Sequence, residues 1–138
     1  MLFDIDVVLD VLLAREPWAA DSALLLDAAE RGTITGYVAG HTITTVYYIV
    51  ARNSTSKKAA GAVADIMRIV TIVPIDAADF TQALVLGMSD FEDAVQAAAA
   101  AKVGADFVAT RNDKDYRKGP IKARSPSDLL ALLEASTR

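Results

Sequence analysis

The sequence predicts an α/β fold with three layers, αβα, around a central and mostly parallel sheet. Short apolar runs alternate along the chain with longer segments of helical periodicity, a pattern typical of a parallel sheet covered by helices on both faces. Acidic or polar residues follow the first and the fourth apolar run, at Asp4 and at 110–116. Because 138 residues is the length of one domain, residues 1–138 are expected to form a single domain.

The first half of the chain predicts three strands and four helices. The strands are expected at 1–3, 34–39 and 71–73, and the helices at 7–13, 18–31, 42–52 and 57–69. Pro17 separates the first two helices, because proline is poorly tolerated inside a helix. Gly32 is expected to end the second helix, because glycine readily adopts the left-handed conformation found there.

The second half begins with two helix start signals. Asp76 is a predicted N-cap, with Ile75 and Phe80 placed as a hydrophobic staple. Ser89 and Glu92 have the spacing of a capping box before the helical run 94–103. Later elements are a strand at 107–109, a polar segment at 110–116, a turn at 119–120, a short edge strand at 121–123 and a last helix that starts at 126.

Composition excludes several classes of protein. With 53% hydrophobic and 23% charged residues the chain is unlike a disordered protein. It has no cysteine, which excludes disulfides and thiolate metal sites. The start Met1-Leu2-Phe3-Asp4 does not have the basic region of a signal peptide. No apolar run reaches the roughly 18 residues of a membrane span, so a cytoplasmic protein with no membrane contact is expected.

Basic residues are concentrated in one segment although the net charge is −4. Six of the fourteen basic residues lie between 111 and 124, namely Arg111, Lys114, Arg117, Lys118, Lys122 and Arg124. Such segregation permits a local nucleic-acid contact on an acidic protein. Arg111 and Lys118 are the predicted contacts.

Three separated carboxylates are expected at one edge of the sheet. Asp4 follows the first strand, Asp93 lies in the first turn of a helix, and Asp115 follows the fourth strand. In parallel sheets, ligands bind outside the carboxyl ends of the strands. Since carboxylates are the ligands that hard cations prefer, this pattern predicts a site for Mg²⁺ or Mn²⁺.

Three stretches resemble the PIN-domain family. They are FDIDVVLDVLLAREP (residues 3–17), FEDAVQAAAAAKVGADFVATRNDKDY (residues 91–116) and SPSDLLALL (residues 125–133). The resemblance implies a toxin-like, metal-dependent endoribonuclease that cleaves single-stranded RNA, forms a homodimer and binds a small antitoxin. It also implies that Asp4, Asp93 and Asp115 are the catalytic and metal-binding acids, with Asp6 and Asn112 in supporting positions.

One position departs from the family pattern. The helix after the second strand usually carries a Glu, and Thr45 stands there instead. A threonine hydroxyl adds no charge, so Asp6, Asp90 or Glu92 is expected to substitute if the chain is an enzyme. The alternative is a catalytically degenerate PIN module that binds RNA or a protein partner.

A third interpretation rests on the start of the chain alone. Phe3-Asp4-Ile5-Asp6 is similar to the opening of haloacid-dehalogenase phosphatases, but Val7-Val8 replaces the Gly-Thr expected in that family.

Overall fold

The computed structural model describes residues 1–136 and contains one five-stranded sheet. All its pairings are parallel, in the order β3-β2-β1-β4-β5. The strands are β1 (Leu2–Phe3), β2 (Tyr37–Ala39), β3 (Thr71–Val73), β4 (Val108–Ala109) and β5 (Ala123–Arg124). The predicted three-layer α/β class is therefore confirmed.

The described chain also contains seven α-helices and one 3₁₀ helix. The α-helices are α1 (Ile5–Leu12), α2 (Ala19–Glu30), α3 (Gly40–Asn53), α4 (Ser56–Ile69), α5 (Ala77–Val85), α6 (Phe91–Lys102) and α7 (Pro126–Ser136). The 3₁₀ helix covers Asp113–Tyr116, inside the predicted polar segment. None of these helices, within residues 1–136, is long and apolar enough to cross a membrane.

Alternating strand residues supply two separate cores. Phe3 and Val38 face one core, where they pack with α1, α2, α3, α4 and α7. Leu2 and Ala39, one position away in each strand, face the other core with α6. Side chains of a strand alternate between the two faces of a sheet, so this division is the period-two pattern of strands buried on both sides.

The strand order reverses direction between β1 and β4. From β1 the chain builds outward through β2 to β3, and later through β4 to β5 on the other side. The register pairs Leu2 with Val108 and Phe3 with Ala109. Asp4 and Thr110 therefore leave neighbouring strands at the switch point, where open α/β sheets place their ligand sites.

Helix α6 begins at a different cap from the predicted one. The Asp90 carboxylate, and not the Ser89 hydroxyl, accepts the hydrogen bond from the Asp93 N–H at 2.9 Å. The predicted pairing of Ser89 with Glu92 is therefore wrong. Both Ser and Asp are good N-cap residues, and one residue of register decides which carbonyl starts the helix.

Strand β2 is shorter than the predicted strand 34–39. The N–H groups of Thr33 and Ile34 donate to the Ala28 carbonyl at 2.9 and 3.4 Å, so these residues close α2 and do not join the sheet. Gly32 has φ +78°, which confirms the predicted glycine at the end of α2. Asp76 and Asp79 cap α5 reciprocally, which confirms Asp76 as an N-cap.

Candidate carboxylate site

Asp4 is a buried carboxylate at the carboxyl end of β1. Its backbone N–H continues the sheet by donating to the Ala109 carbonyl at 2.9 Å. Its side chain is only 2% exposed and accepts hydrogen bonds on both oxygens, from Gln96 Nε2 at 3.1 Å and Thr110 Oγ1 at 2.7 Å. Burial raises the pKa of Asp4, and these two donors oppose that rise. The donors therefore favour the charged form of a carboxylate that is removed from water.

Asp93 lies in the first turn of α6 and is half-buried. Burial raises its pKa to about 7, with further contributions from the negative charges of Asp4, Asp90 and Asp115. The Tyr116 hydroxyl donates to Asp93 Oδ1 at 3.3 Å and opposes that shift. Asp93 therefore lies in a region of negative charge that no described cation balances by a salt bridge.

The remaining predicted acids surround this pair. Asn112 Nδ2 donates to Asp6 Oδ2 at 3.2 Å, and the Asn112 N–H donates to Thr110 Oγ1 at 3.1 Å. Asp6 and Asn112 are thereby joined to the polar network around Asp4. Asp115 is exposed on the 3₁₀ helix and contributes through its charge.

Glu92 also belongs to this acidic region. Burial raises its pKa, followed by the charges of Asp90, Asp4 and Asp6. The structure therefore gathers six acids at one edge of the sheet: Asp4, Asp6, Asp90, Glu92, Asp93 and Asp115. We call these six residues the acid cluster.

The acid cluster fits a hard divalent cation of the kind that keeps much of its water. Across residues 1–136, no three acidic, histidine or cysteine side chains lie close enough together to bind one ion directly. Mg²⁺ is often held by one or two carboxylates and several waters, so a full protein cage is not required. Burial raises the pKa of Asp93, followed by the negative charges of Asp4, Asp90 and Asp115, and a bound cation would oppose both effects.

Thr45 occupies α3 and bonds to its own helix. Its hydroxyl donates to the His41 carbonyl oxygen at 3.3 Å, one turn earlier. This is the common behaviour of threonine in a helix. Participation of Thr45 in the site remains a prediction.

Arg111 contacts groups of the fold itself. Its Nε lies 3.2 Å from Oδ2 of Asp10, which is 1% exposed, and Arg15 lies 3.7 Å from the other oxygen. The guanidinium carbon is 3.9 Å from the centre of the Trp18 ring. Arg111 therefore compensates a buried charge and stacks on an aromatic ring, and its predicted role in nucleic-acid binding stays a prediction.

Part of the basic segment borders the acid cluster. Lys114, Arg117 and Lys118 line a concavity of about 210 Å³ together with Asp115. Arg117, Lys122 and Arg124 line a second one of about 300 Å³. None of these five cations forms a salt bridge within the described part of the chain. Their charge is therefore available to a ligand.

A larger concavity lies at the opposite edge of the sheet. It has a volume of about 540 Å³, and Met1, Thr35 and Phe107, which precede three of the strands, help to line it. Only one acid, Asp106, lines it. The largest of these three concavities and the acid cluster thus lie at opposite edges of the sheet. We place the candidate site at the carboxyl edge because the acids lie there.

Gln96, Thr110 and Tyr116 were not predicted as site residues. Gln96 is fully buried and contacts both Asp4 and Tyr116. One signal was present, since Gln96 is the single polar residue in the apolar run 94–101. A buried polar side chain needs partners, and a run of this kind predicts that they lie on another element.

Comparisons with known proteins concern the family and the fold. Residues 1–114 match the sequence model of the PIN domain. No curated protein matches the chain in sequence.

Two solved structures share the fold. One is Mycobacterium tuberculosis VapC20, described as a toxin that cleaves the sarcin-ricin loop, with a TM-score of 0.65, 16% identity, and coverage of 81% of this chain and 90% of that one. The other is VapBC2 from Rickettsia felis, bound to a DNA fragment from its promoter, with a TM-score of 0.67, 11% identity, and coverage of 90% and 96%. At these identities the likeness concerns the fold.

Proposed function

The chain belongs to the PIN-domain family, and on this premise we propose that it is a metal-dependent endoribonuclease that cleaves single-stranded RNA in the manner of a toxin. The observation that carries the proposal is the acid cluster at the switch point between β1 and β4, with the pKa of Asp93 raised to about 7. Perturbed acids that converge at a sheet edge are candidates for catalysis.

Asp4, Asp93 and Asp115 would hold Mg²⁺ or Mn²⁺ in this proposal, one or two of them directly and the rest through bound waters. The ion supplies a Lewis acid that activates water and neutralises charge on the phosphodiester. Gln96 and Thr110 hold the Asp4 carboxylate in place through one donor on each oxygen. Asp6, Glu92 and Asn112 surround these acids and support them.

The basic segment would hold the RNA backbone beside the acid cluster. Lys118 lies in the same concavity as Asp115, so a phosphate bound by Lys118 places the next phosphodiester near the acids. Unpaired cations attract phosphates and make binding depend on salt. We further propose that residues 1–138 form a single domain and that the protein is a cytoplasmic homodimer. Its proposed protein partner is a small antitoxin.

The test is metal-dependent cleavage of a mixed-sequence single-stranded RNA. We expect fragments in Mn²⁺ or Mg²⁺ and none in EDTA. Asp4→Asn should abolish cleavage, because it removes a buried charge from the cluster. The matched control is Asp27→Asn, which removes an exposed carboxylate paired with Arg31 on α2 and should leave cleavage unchanged.

A catalytically degenerate PIN module is the second candidate. It is favoured by one observation, that Thr45 replaces the expected Glu and bonds to its own helix. The discriminating variant is Thr45→Glu. The native chain is a degenerate module if the wild type binds Mn²⁺ with little or no RNA cleavage and the Thr45→Glu variant cleaves RNA or does so much faster.

A further inference from the structure

Gln96 lies at the centre of the polar network that joins the two principal acids. It is 0% exposed on α6, in a segment where residues 94–100 are buried on every side of the helix. Its amide reaches β1, the start of α1 and the 3₁₀ helix at once. The Gln96 amide thus contacts three different segments of the chain through Ile5, Asp4 and Tyr116.

The orientation of the Gln96 amide is fixed by a backbone donor. The Ile5 N–H donates to Gln96 Oε1 at 3.1 Å. A backbone N–H is only a donor, so the oxygen of the amide must face it and the nitrogen must face the other way. Both amide hydrogens are then directed to acceptors, Asp4 Oδ1 at 3.1 Å and Tyr116 Oη at 3.2 Å.

This orientation also directs the Tyr116 hydroxyl. Because Gln96 donates to Tyr116 Oη, the hydroxyl hydrogen is free to point to Asp93 Oδ1, 3.3 Å away. Tyr116 is 2% exposed, and burial raises its pKa, followed by the charges of Asp4 and Asp93, so the hydroxyl remains a donor. In this series of hydrogen bonds the hydroxyl therefore accepts from Gln96 and donates to a carboxylate, and the bond at 3.3 Å is the one to Asp93.

We propose that Gln96 is the positioning residue of the acid cluster, which holds Asp4 directly and Asp93 through Tyr116. The inference rests on the proposed function for its catalytic consequence. Its structural content is independent of that function: one buried amide sets the relative placement of two carboxylates that come from different elements. Partners of this kind around metal ligands typically change affinity or activity by about 10- to 100-fold when they are removed.

The first variant is Gln96→Met, which keeps the length of the side chain and removes all three hydrogen bonds. We expect the dissociation constant for Mn²⁺, measured by calorimetry, to rise about 10- to 100-fold. For RNA cleavage we expect kcat to fall by a similar factor while KM is unchanged, since the basic segment is untouched. The matched control is Gln82→Met on the exposed face of α5, which should change neither quantity.

The second variant, Tyr116→Phe, keeps the ring in the core and removes the hydroxyl, which breaks the bond from Gln96 and the bond to Asp93 but leaves the bond between Gln96 and Asp4. It should weaken Mn²⁺ binding, and in the double variant its effect should be smaller than in the wild type, because Gln96→Met already breaks the series. Additive effects would overturn the proposal, as would a folded Gln96→Met protein with wild-type Mn²⁺ affinity and kcat. If Gln96→Met does not fold, Tyr116→Phe decides: wild-type Mn²⁺ affinity in that variant overturns the proposal.

A metal-free measurement separates this inference from the proposed function. In the wild type, the Tyr116 hydroxyl proton should exchange slowly with water in NMR spectra, and Gln96→Met should make it exchange fast. If the wild type neither binds Mn²⁺ nor cleaves RNA, the proposed function fails, and the exchange result still decides whether Gln96 orients Tyr116. A hydroxyl proton that is equally protected in both proteins would overturn the positioning role.

Discussion

The Tyr116 hydroxyl donates a hydrogen bond to the Asp93 carboxylate, with 3.3 Å between Oη and Oδ1. A donor favours the ionised form of a carboxyl group and lowers its pKa. Here it works against burial and against the charges of Asp4, Asp90 and Asp115, and the net result is a pKa of about 7. Protonation of Asp93 is therefore expected near neutral pH.

Binding of Mn²⁺ should strengthen as pH rises towards the pKa of Asp93. Below about 7 the proton on Asp93 competes with the ion, and above it the carboxylate is free. In the metal-free protein, Tyr116→Phe removes the donor, so the pKa of Asp93 should rise and the midpoint of the binding curve should move to higher pH. The measurement is the Mn²⁺ dissociation constant from about pH 5 to about pH 9.

The control for this titration is Tyr48→Phe, because Tyr48 is 62% exposed on α3. It should give the wild-type curve. A midpoint that moves to lower pH in Tyr116→Phe would contradict the direction of the hydrogen bond described above.

Removal of metal should destabilise the fold most at high pH. Burial raises the pKa of Asp4, Asp10, Glu92 and Asp93, whereas the hydrogen bond from Lys102 lowers that of Asp79. A carboxyl group with a raised folded-state pKa costs stability as pH rises from its unfolded value, 3.8 for Asp93, towards its folded value. The melting temperature in EDTA should therefore fall over this interval.

Addition of Mn²⁺ should restore the lost stability, and more so at pH 8 than at pH 5. Asp93→Asn provides the check. This variant removes a carboxyl group whose pKa is raised to about 7 in the folded state, so in EDTA at high pH it should melt at a higher temperature than the wild type. Each kcal/mol corresponds to about 4 °C in a domain of this size. A wild-type melting temperature in EDTA that increases with pH would contradict the assignment.

The sequence predicts the positions of Asp4 and Asp93 in the fold because strand ends and helix starts are local features. Asp4 follows an apolar run and Asp93 opens a helical one, so both could be placed at one sheet edge before the structure was known. The order of the strands places Asp4 beside Thr110, since β1 and β4 are neighbours. The alternation of strands and helices likewise predicted the α/β class.

The partners of these acids could not be predicted in the same way. Gln96 bonds to Asp4 across 92 positions of sequence, and only the packing of α6 on the sheet brings them together. The charge of Arg111 suggested a phosphate contact, but Asp10 and Trp18, far away in sequence, engage its guanidinium. The sequence places the cap of α6 one residue too early because Ser89 and Asp90 are equally suited to the position.

Gly36→Ala should destabilise the fold strongly. A Cβ at this position would lie 2.6 Å from an edge carbon of the Phe3 ring and 3.1 Å from the Ala29 Cβ. Phe3 is 0% exposed, so its ring has no free space to move into. Overpacking of this kind costs about 1–3 kcal/mol, which a shift in the urea midpoint would measure.

Gly61→Ala is the matched control for that substitution. Gly61 lies inside α4, and a Cβ there meets nothing within 4 Å. Replacement of a helical glycine by alanine should stabilise the protein by about 0.5–1 kcal/mol. If the free energy of unfolding falls in Gly36→Ala and rises in Gly61→Ala, the loss of stability at Gly36 is due to the contact with Phe3.

Arg111→Ala and Lys118→Ala should separate a cation that stabilises the fold from one that binds RNA. Loss of Arg111 leaves the buried Asp10 carboxylate with Arg15 at 3.7 Å, and the broken pair should destabilise the fold by up to about 3–5 kcal/mol. Lys118 is exposed beside Asp115 and forms no salt bridge with the described residues. Its loss should leave stability unchanged and weaken RNA binding.

The salt dependence of binding makes the second half of this prediction quantitative. If Lys118 neutralises one phosphate, the slope of log affinity against log salt should become shallower by about 0.7 in Lys118→Ala. Fluorescence anisotropy with a labelled single-stranded RNA measures the slope, and Lys57→Ala, an exposed lysine on α4, is the control. The prediction is contradicted if the slope is unchanged in Lys118→Ala and becomes shallower in a folded Arg111→Ala protein. Arg111, whose guanidinium lies over the Trp18 ring, would then be the residue that contacts the phosphate.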